Sequence, residues 1–285
     1  MPLVHPSLAL ALEPLARAAL AEDLGGAGDI TTDAVIPAGT RASAAIVGRR
    51  SGVLAGSAIA EIVFRLCDPG LDIVSLREDG DAIPAGSPVL RISGDARSIL
   101  TAERTALNFL CRLSGIATAT HGLVRAVAGT RARIACTRKT TPGLRALERA
   151  AVVAGGGIGH RFGLHDGILI KDNHIAAVGG IRRAVARARS NVGHMVKIEV
   201  EVDSLEQLEE ALGAGIDAVL LDNMGLDELR EGVRIVGGRV TVEASGSITR
   251  ENVAGVAATG VDVISVGWIT HSAPALDLGL DLAAP

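Results

Sequence analysis

The chain has 285 residues, of which 48% are hydrophobic, 21% are charged and only 1% are aromatic, and its formal net charge is -4. Such a length is enough for one large domain or two ordinary ones, and the composition is typical of a globular protein with a sizeable core. The negative charge, the absence of a lysine or arginine run and the scarcity of stacking rings argue against nucleic acid as a partner.

Residues 1–20 are apolar but contain charged side chains and lack a basic start, so they predict a helix of the mature chain rather than a signal peptide. No uninterrupted apolar run reaches membrane-spanning length, and we expect no membrane partner. The cysteines Cys67, Cys111 and Cys136 lie in apolar contexts without metal-binding spacing. This pattern indicates reduced core residues of a cytoplasmic protein.

The sequence pattern of the first part of the chain predicts a small sheet followed by a long helix. Residues 43–56 and 72–94 predict strands joined by tight glycine turns. Residues 101–120 predict a helix, because leucines recur along one face at helical spacing. A domain boundary is expected within this helix or just after it. The predicted domains are residues 1–115, an α/β sandwich on which a tail of about residues 272–285 packs, and residues 116–271.

From about residue 130 onward, short β-branched strands alternate with amphipathic helical segments. This rhythm predicts βαβ units and a parallel sheet. Six strands fit a barrel-like or doubly wound layer rather than a standard eight-fold barrel. The predicted strands are 133–136, 168–170, 196–202, 218–221, 241–244 and 263–267. The clearest helix, residues 204–215, follows an expected N-cap at Asp203-Ser204.

Polar side chains lie at the end of each of these six strands. Ligands of parallel α/β folds bind at the carboxyl ends of the strands, so the pattern predicts an active site at this edge. The side chains are Thr137, Arg138 and Lys139, then Lys171 with Asp172, Asn173 and His174, then Glu201, then Asp222 and Asn223, then Ser245, Gly246 and Ser247, and finally Trp268 and Thr270.

Lysine is rare in this chain, since Lys139, Lys171 and Lys197 are the only three among 28 basic residues. An ammonium group differs chemically from a planar guanidinium, which favours a function for these positions. In the strand around Lys197, alternation points Lys197, Glu199 and Glu201 inward. Buried charges must pair with one another, with a metal or with a ligand. An internal Lys197–Glu199 pair with no function stays open, whereas Glu201 is the stronger functional candidate.

Long segments of the chain resemble, in the same order, the quinolinate phosphoribosyltransferase family over about residues 20–282. The segments are EDLGGAGDITT, ERTALNFLCRLSGIATAT, CTRKTTPGLR, GGGIGHRFGLHDGILIKDNH, EVEVDSLEQL, LLDNM, EASGSIT and SVGWITHSAPALDLGLD. The resemblance implies an N-terminal α/β sandwich plus an open six-stranded α/β barrel, in a homodimer with shared active sites that can associate further. It also implies the conversion of quinolinate and phosphoribosyl pyrophosphate to nicotinate mononucleotide, pyrophosphate and carbon dioxide, with Mg²⁺, in de novo NAD biosynthesis.

The resemblance also implies roles for individual residues, and these suit two anionic substrates. It assigns the pyridine dicarboxylate to the cationic residues Arg104 of the neighbouring subunit, Arg138, His160, Arg161 and Lys171. It places Lys139 near the pyrophosphate, with Thr137 beside it. Glu201 and Asp222 would hold the magnesium–phosphoribosyl group, directly or through water. Backbone groups of Ser245, Gly246 and Ser247, and of Val266, Gly267 and Trp268, would cradle a phosphate.

The implied mechanism makes Lys139, Glu201 and Asp222 the catalytic residues and needs no covalent nucleophile. His174 follows Lys171 closely and is expected to contact residues of the site rather than the substrate. Two positions depart from the family pattern: Gly159 replaces an asparagine, and Trp268 replaces a small residue near the phosphate loop. A molybdenum-transport paralogue of the same fold remains an alternative. So do a Schiff-base aldolase with Lys171 as nucleophile and a non-catalytic binding module.

Overall fold

The computed structural model describes residues 6–283. The chain forms two compact units, and each unit is built from more than one segment of the sequence. The first unit comprises Met1–Ala119, Pro142–Gly156 and Ser272–Pro285, and the second comprises Thr120–Thr141 and Gly157–His271. Residues 1–5 of the predicted N-terminal helix and residues 284–285 of the predicted tail lie outside the described residues.

The described chain alternates helices and strands throughout. The helices are α1 (Pro6–Leu24), α2 (Ile30–Val35), α3 (Ser57–Cys67), α4 (Ala96–Ala126), α5 (Arg145–Ala154), α6 (Asp172–Val178), α7 (Ile181–Asn191), α8 (Leu205–Gly213), α9 (Leu226–Val236), α10 (Val253–Ala257) and α11 (Trp268–His271). The strands are β1 (Arg41–Gly48), β2 (Gly52–Val53), β3 (Asp72–Ser75), β4 (Ala82–Ile83), β5 (Pro88–Asp95), β6 (Arg133–Ala135), β7 (Ile168–Ile170), β8 (Ile198–Val202), β9 (Ala218–Asp222), β10 (Thr241–Ser245), β11 (Val263–Ser265) and β12 (Leu278–Leu282).

The first unit contains an antiparallel sheet with the order β12-β1-β5-β3 and a small β2-β4 ladder. Alternation along the strands sends one row of side chains into the core. Ala44 lies opposite Ile92 and Ile46 lies opposite Leu90 in the β1–β5 ladder, and all four side chains are buried. The last strand, β12, pairs antiparallel with β1, so the C-terminal segment completes this sheet.

The long helix α4 contains the predicted helix of residues 101–120 and buries its leucine stripe. Leu107, Leu110 and Leu113 are at most 2% exposed. Within the first unit, a Cβ atom at Gly115 would lie only 2.9 Å from the Cα of Ala275, so only glycine fits this close approach of two backbones.

The second unit is built on a six-stranded parallel sheet with the order β6-β11-β10-β9-β8-β7. The prediction of six parallel strands is confirmed, and β6 and β7 form the two edges of an open barrel. The apolar rows of the strands supply the core, as Ile198, Val200 and Val202 of β8 are all at most 1% exposed. The carboxyl ends of all six strands therefore lie at one end of the sheet.

The predicted inward position of Lys197 is wrong. The strand β8 begins at Ile198, two residues later than predicted, and the Lys197 side chain is 82% exposed, with Nζ 3.3 Å from Oδ1 of Asp217. The same Asp217 accepts a hydrogen bond from the backbone N–H of Ile198 at 2.9 Å. Lys197 thus belongs to the amino end of the sheet, and Glu199 has a different partner.

The predicted N-cap of α8 is confirmed at Ser204. Its hydroxyl accepts a hydrogen bond from the backbone N–H of Gln207 at 3.3 Å, and Leu208 on the inner face of the helix is buried. Among residues 6–283, no helix combines the length and the apolar character needed to cross a membrane.

Candidate active site

A cavity of about 710 Å³ opens at the carboxyl ends of the parallel strands, entirely within the second unit. Its walls come mainly from residues in or just after the six strands and from the loop after α5. The lining residues are Thr137, Arg138, Lys139, His160, Arg161, Leu169, Lys171, Glu201, Leu220, Asp222, Asn223, Glu243, Ser245, Gly246, Ser247, Ile248, Ser265, Val266, Gly267, Trp268 and His271.

The structure brings together every residue of the predicted site except Arg104. That residue lies on α4 in the first unit, where its side chain is exposed, and it is not among the lining residues. The predicted residues that line the cavity include several cationic side chains and two acidic ones, Glu201 and Asp222. A cavity of this charge pattern suits a ligand with more than one anionic group and an electrophilic centre.

Lys139 is held at its backbone, while its side chain reaches the cavity. The hydroxyl of Thr137 accepts a hydrogen bond from the Lys139 N–H at 3.0 Å, and the hydroxyl of Thr270 donates to the Lys139 carbonyl at 2.8 Å. A Cβ atom at Gly267 would lie 3.1 Å from Cδ of Lys139. The small residue after β11 therefore leaves room for the aliphatic part of the lysine.

Lys171 and Glu201 form an ion pair at the ends of the neighbouring strands β7 and β8. The distance from Nζ to Oε2 is 2.6 Å, and the side chains are 44% and 17% exposed. The ammonium of Lys171 is thus beside a carboxylate rather than in an apolar pocket, which disfavours a Schiff-base nucleophile. The backbone N–H of Lys171 donates to Nδ1 of His174 at 3.0 Å, so His174 supports this lysine from its own helix.

Arg161 is poised for an anion. Its Nη1 donates to the carbonyl of Gly167 at 3.1 Å, whereas its buried Nε has no hydrogen-bond partner among the described residues. Burial lowers the pKa of Arg161, and the nearby charge of Arg138 lowers it further. Two neighbouring guanidinium groups and an unused donor make this wall suitable for a carboxylate or a phosphate.

His160 joins two acidic residues behind the arginine wall. Its Nε2 lies 3.3 Å from Oε2 of Glu199 and 3.4 Å from Oε2 of Glu243, and its Nδ1 accepts a hydrogen bond from the backbone N–H of Arg161 at 2.7 Å. The carboxyl oxygen Oε1 of Glu243 is buried without a partner in the described chain. Nδ1 must keep its lone pair for Arg161, so the proton of the neutral ring lies on Nε2 and faces the acids.

The hydrogen bond to Glu199, together with that to Glu243, raises the pKa of His160 to about 10. Burial raises the pKa of Glu199, and repulsion from Glu243 adds to that effect. Both shifts favour a bound proton at His160 and Glu199.

The loops after β9 and β10 contain the only two non-glycine residues of the described chain with left-handed backbone conformations. These are Asn223 with φ 55° and Ser247 with φ 51°. Between them, Gly246 has φ 93°, and a Cβ there would lie 2.9 Å from the backbone nitrogen of Asn223. The side chain of Asn223 donates to Oδ2 of Asp222 at 2.8 Å. Unusual backbone at a cavity wall is typical of a binding loop.

Several lining residues were not singled out from the sequence, among them Glu243, Ile248, Ser265 and His271. Glu243 faces inward from the middle of β10, and alternation within TVEAS could have identified it, because Val242 and Ala244 are apolar. His271 carried no signal, because it follows a helical turn rather than a strand.

Glu201 and Asp222 are suitable ligands for a magnesium ion bound together with phosphates. The two residues end adjacent parallel strands, and Glu201 pairs in register with Leu220, whose side chain lines the same cavity as Asp222. Mg²⁺ prefers one or two carboxylates with phosphate oxygens and water completing its shell. The donor set therefore fits the ion.

Comparison with known proteins gives one consistent family. The model of the quinolinate phosphoribosyl transferase N-terminal domain matches residues 29–114, and that of the C-terminal domain matches residues 116–281. A probable nicotinate-nucleotide pyrophosphorylase (carboxylating) of Bacillus subtilis is 44% identical over 273 residues, covering 96% of this chain and 94% of that protein. The nicotinate-nucleotide pyrophosphorylase (carboxylating) of Mycobacterium leprae is 46% identical, covering 93% and 95%.

Solved structures agree with the sequence relatives. The nicotinate-nucleotide pyrophosphorylase of Francisella tularensis superposes with a TM-score of 0.92 at 40% identity, covering 96% of each chain. That of Ehrlichia chaffeensis gives 0.91 at 40% identity, covering 98% of this chain and 99% of the other.

Proposed function

The chain belongs to the quinolinate phosphoribosyltransferase family, and from this premise we propose how its cavity performs that family's reaction. The protein is a carboxylating phosphoribosyltransferase, which forms nicotinate mononucleotide from quinolinate and phosphoribosyl pyrophosphate in NAD biosynthesis. The observation that carries the proposal is one cavity lined both by cationic side chains, which suit anionic substrates, and by the carboxylates of Glu201 and Asp222, which suit a cationic transition state.

The cationic wall binds the dicarboxylate of quinolinate. Arg138 and Arg161 offer planar forks that match carboxylates, and the unused Nε of Arg161 gives one donor that a carboxylate can satisfy. Lys171 has three donors, so it can keep its bond to Glu201 while it donates to the substrate. His160 completes this wall beside Arg161.

Lys139 acts on the leaving group. The ring nitrogen of quinolinate attacks C1 of the ribose while the bond from C1 to the pyrophosphate oxygen breaks. The ammonium of Lys139 stabilises the charge that develops on the departing pyrophosphate. Glu201 and Asp222 stabilise the positive charge that develops on the ribose, because both carboxylates line the cavity on adjacent strands.

Decarboxylation follows from the charge on the ring. The positive charge of the quaternary ring nitrogen stabilises the electron pair that is left on C2 when the adjacent carboxylate leaves as carbon dioxide, and a proton from solvent then binds C2. No covalent enzyme intermediate is needed, and Cys136 is a buried residue that does not line the cavity.

Magnesium is the proposed cofactor, and when bound it neutralises pyrophosphate charge and so improves the leaving group. Glu201 and Asp222 would hold it. The loops of Ser245, Gly246 and Ser247 and of Val266, Gly267 and Trp268 would bind the phosphate of the ribose.

A homodimer in the cytoplasm is also proposed. In it, Arg104 of one subunit would supply a further cation to the cavity of the other, which is consistent with its exposure on α4. Support for the compartment comes from the chain's three cysteines, all of which are free thiols. Further association of dimers stays open.

The test is the release of nicotinate mononucleotide from quinolinate, phosphoribosyl pyrophosphate and Mg²⁺ by the purified chain. We expect Lys139→Ala to lower turnover by about 10²- to 10³-fold, as for loss of one charge-stabilising donor. Lys197→Ala removes the same charge from an exposed site at the other end of the sheet and should retain normal turnover. No product from folded wild type, or equal effects of the two variants, would contradict the proposal. Borohydride with a carbonyl substrate should trap no adduct.

A further inference from the structure

The sole tryptophan of the chain connects two loops of the cavity. Trp268 is the first residue of α11 and lines the cavity, and its indole Nε1 donates a hydrogen bond to the carbonyl of Ile248 at 3.0 Å. Ile248 belongs to the loop after β10, and β10 and β11 are neighbours in the sheet. The side chain therefore joins the two segments whose backbones border the same end of the cavity.

The loop after β10 is otherwise held at only a few points among the described residues. The side chain of Asn252 donates to the carbonyl of Ser247 at 2.9 Å and accepts from the N–H of Thr249 at 2.8 Å. With the bond from Trp268, two consecutive carbonyls of this loop are fixed by side chains. Because a peptide group is planar, fixing each carbonyl also fixes the direction of the following N–H.

Arg250 extends the same loop onto the indole. Its guanidinium carbon lies 5.5 Å from the centroid of the Trp268 ring, within the range of a cation–π contact. Arg250 is exposed and Trp268 is half-buried, so this contact lies at the protein surface. Two residues of one loop therefore contact the indole: Ile248 accepts its N–H hydrogen bond, and Arg250 lies over the face of its ring.

We propose that Trp268 is a positioning residue that holds the loop after β10 in the shape that binds a sugar phosphomonoester. This inference rests on the proposed function, since the phosphomonoester is the 5-phosphate of the phosphoribosyl substrate. The indole N–H is the acting group, because a small residue at this position could not reach the carbonyl of Ile248. Buried Ile248 would then keep an unsatisfied carbonyl, and its loop would lose one of its fixed points.

Three variants separate the contributions of the indole. Trp268→Phe keeps an aromatic ring for Arg250 but removes the N–H donor. Trp268→Ala removes both, and Arg250→Ala removes only the stacked cation. Loss of one neutral hydrogen bond corresponds to about a three- to tenfold change in affinity. We expect Trp268→Phe to raise the KM for phosphoribosyl pyrophosphate by about this factor and to leave the KM for quinolinate unchanged.

The intrinsic fluorescence of Trp268 provides a readout that does not require turnover. Titration of the wild-type chain with ribose 5-phosphate should change the tryptophan emission, whereas quinolinate alone should not. Arg250→Ala should shift the emission to the red, because the uncovered indole meets water. An emission that ribose 5-phosphate leaves unchanged would overturn the inference, and so would an equal rise of both KM values in Trp268→Phe, which indicates a merely structural role.

Failure of the inference is distinguishable from failure of the proposed function. If the wild-type chain forms no nicotinate mononucleotide, the proposed function fails, whatever the fluorescence shows. If it forms the product but Trp268→Phe has normal KM values for both substrates, only the role of the indole fails. Urea unfolding of Trp268→Phe alongside the wild type verifies that the fold is intact.

Discussion

The replacement Gly246→Ala tests whether the loop after β10 shapes the active site. Gly246 has φ 93°, and an added Cβ would lie 2.9 Å from the backbone nitrogen of Asn223 and even closer to the side chain of that residue. A backbone atom cannot rotate away as a side chain can. Asn223 must therefore move, and with it Asp222, whose carboxylate accepts a hydrogen bond from Asn223 at 2.8 Å.

The magnitude has two separable parts. An alanine in the left-handed region costs about 1–2 kcal/mol of folding free energy relative to glycine. Displacement of a catalytic group by about 1 Å can lower the rate about 10²-fold. Gly238→Ala is the matched control, because Gly238 also has a positive φ of 75° but a Cβ there meets nothing within 4 Å.

The assay compares urea unfolding with kcat/KM for both variants. Each should lose about 1–2 kcal/mol of stability from the backbone conformation alone. Only Gly246→Ala should also lose about 10²-fold in kcat/KM, measured where the variant is fully folded. Equal kcat/KM values in the two variants would refute the claim that this close approach fixes the position of Asp222.

Three further predictions concern the acidic cluster, the first unit and the cofactor. The pKa of His160 is about 10 in the folded chain against 6.5 ordinarily. Its contribution to the free energy of unfolding is therefore complete below pH 6.5 and is lost as the pH rises through about 10. The ring resonances of His160 in NMR spectra should not titrate between about pH 7 and 9, and a titration midpoint near 6.5 would contradict the proposed contact with the two acids. Arg112→Met removes two hydrogen bonds, of 2.8 and 3.2 Å, from the fully buried carboxylate of Glu148, and it should lower the free energy of unfolding in urea by about 3 kcal/mol. The control Arg17→Met breaks an exposed ion pair and should lower it by about 0–1 kcal/mol. Similar losses in the two variants would show that burial does not increase the cost of breaking the pair. Chelation of Mg²⁺ should abolish turnover without changing the urea midpoint, and full turnover in excess chelator would exclude the proposed cofactor.

The strand ends of the second unit could be predicted because two simple rules act together. Short β-branched runs separated by helices specify a parallel sheet, and parallel strands place their carboxyl ends at one edge. Polar residues such as Lys171 and Asp222 at those ends must therefore meet. The cavity confirms that they do.

The partners of the buried charges could not be predicted in the same way. Alternation identifies which side of β8 faces inward, but the partner of Glu199 lies in the loop after α5, and its position depends on how that loop folds back. Lys197 shows the same limit at the other end of the strand. Because β8 begins at Ile198, two residues later than predicted, Lys197 precedes the strand and pairs with Asp217 instead of pointing inward.

Loop geometry at the cavity was also beyond the sequence patterns. The sequence indicates a glycine-rich loop at Gly246, but not that Asn223 and Ser247 adopt left-handed conformations around it. Likewise, the tryptophan at Trp268 was identified as an unusual residue, while its bond to Ile248 depends on the spacing of two loops in space.

The central claim is that one cavity couples phosphoribosyl transfer to decarboxylation. The most direct test supplies quinolinate labelled in its C2 carboxylate and measures labelled carbon dioxide with and without phosphoribosyl pyrophosphate. Our account predicts label release only when phosphoribosyl pyrophosphate is present, in an amount equal to the nicotinate mononucleotide formed. Release without phosphoribosyl pyrophosphate, or a mononucleotide that keeps the label, would contradict it.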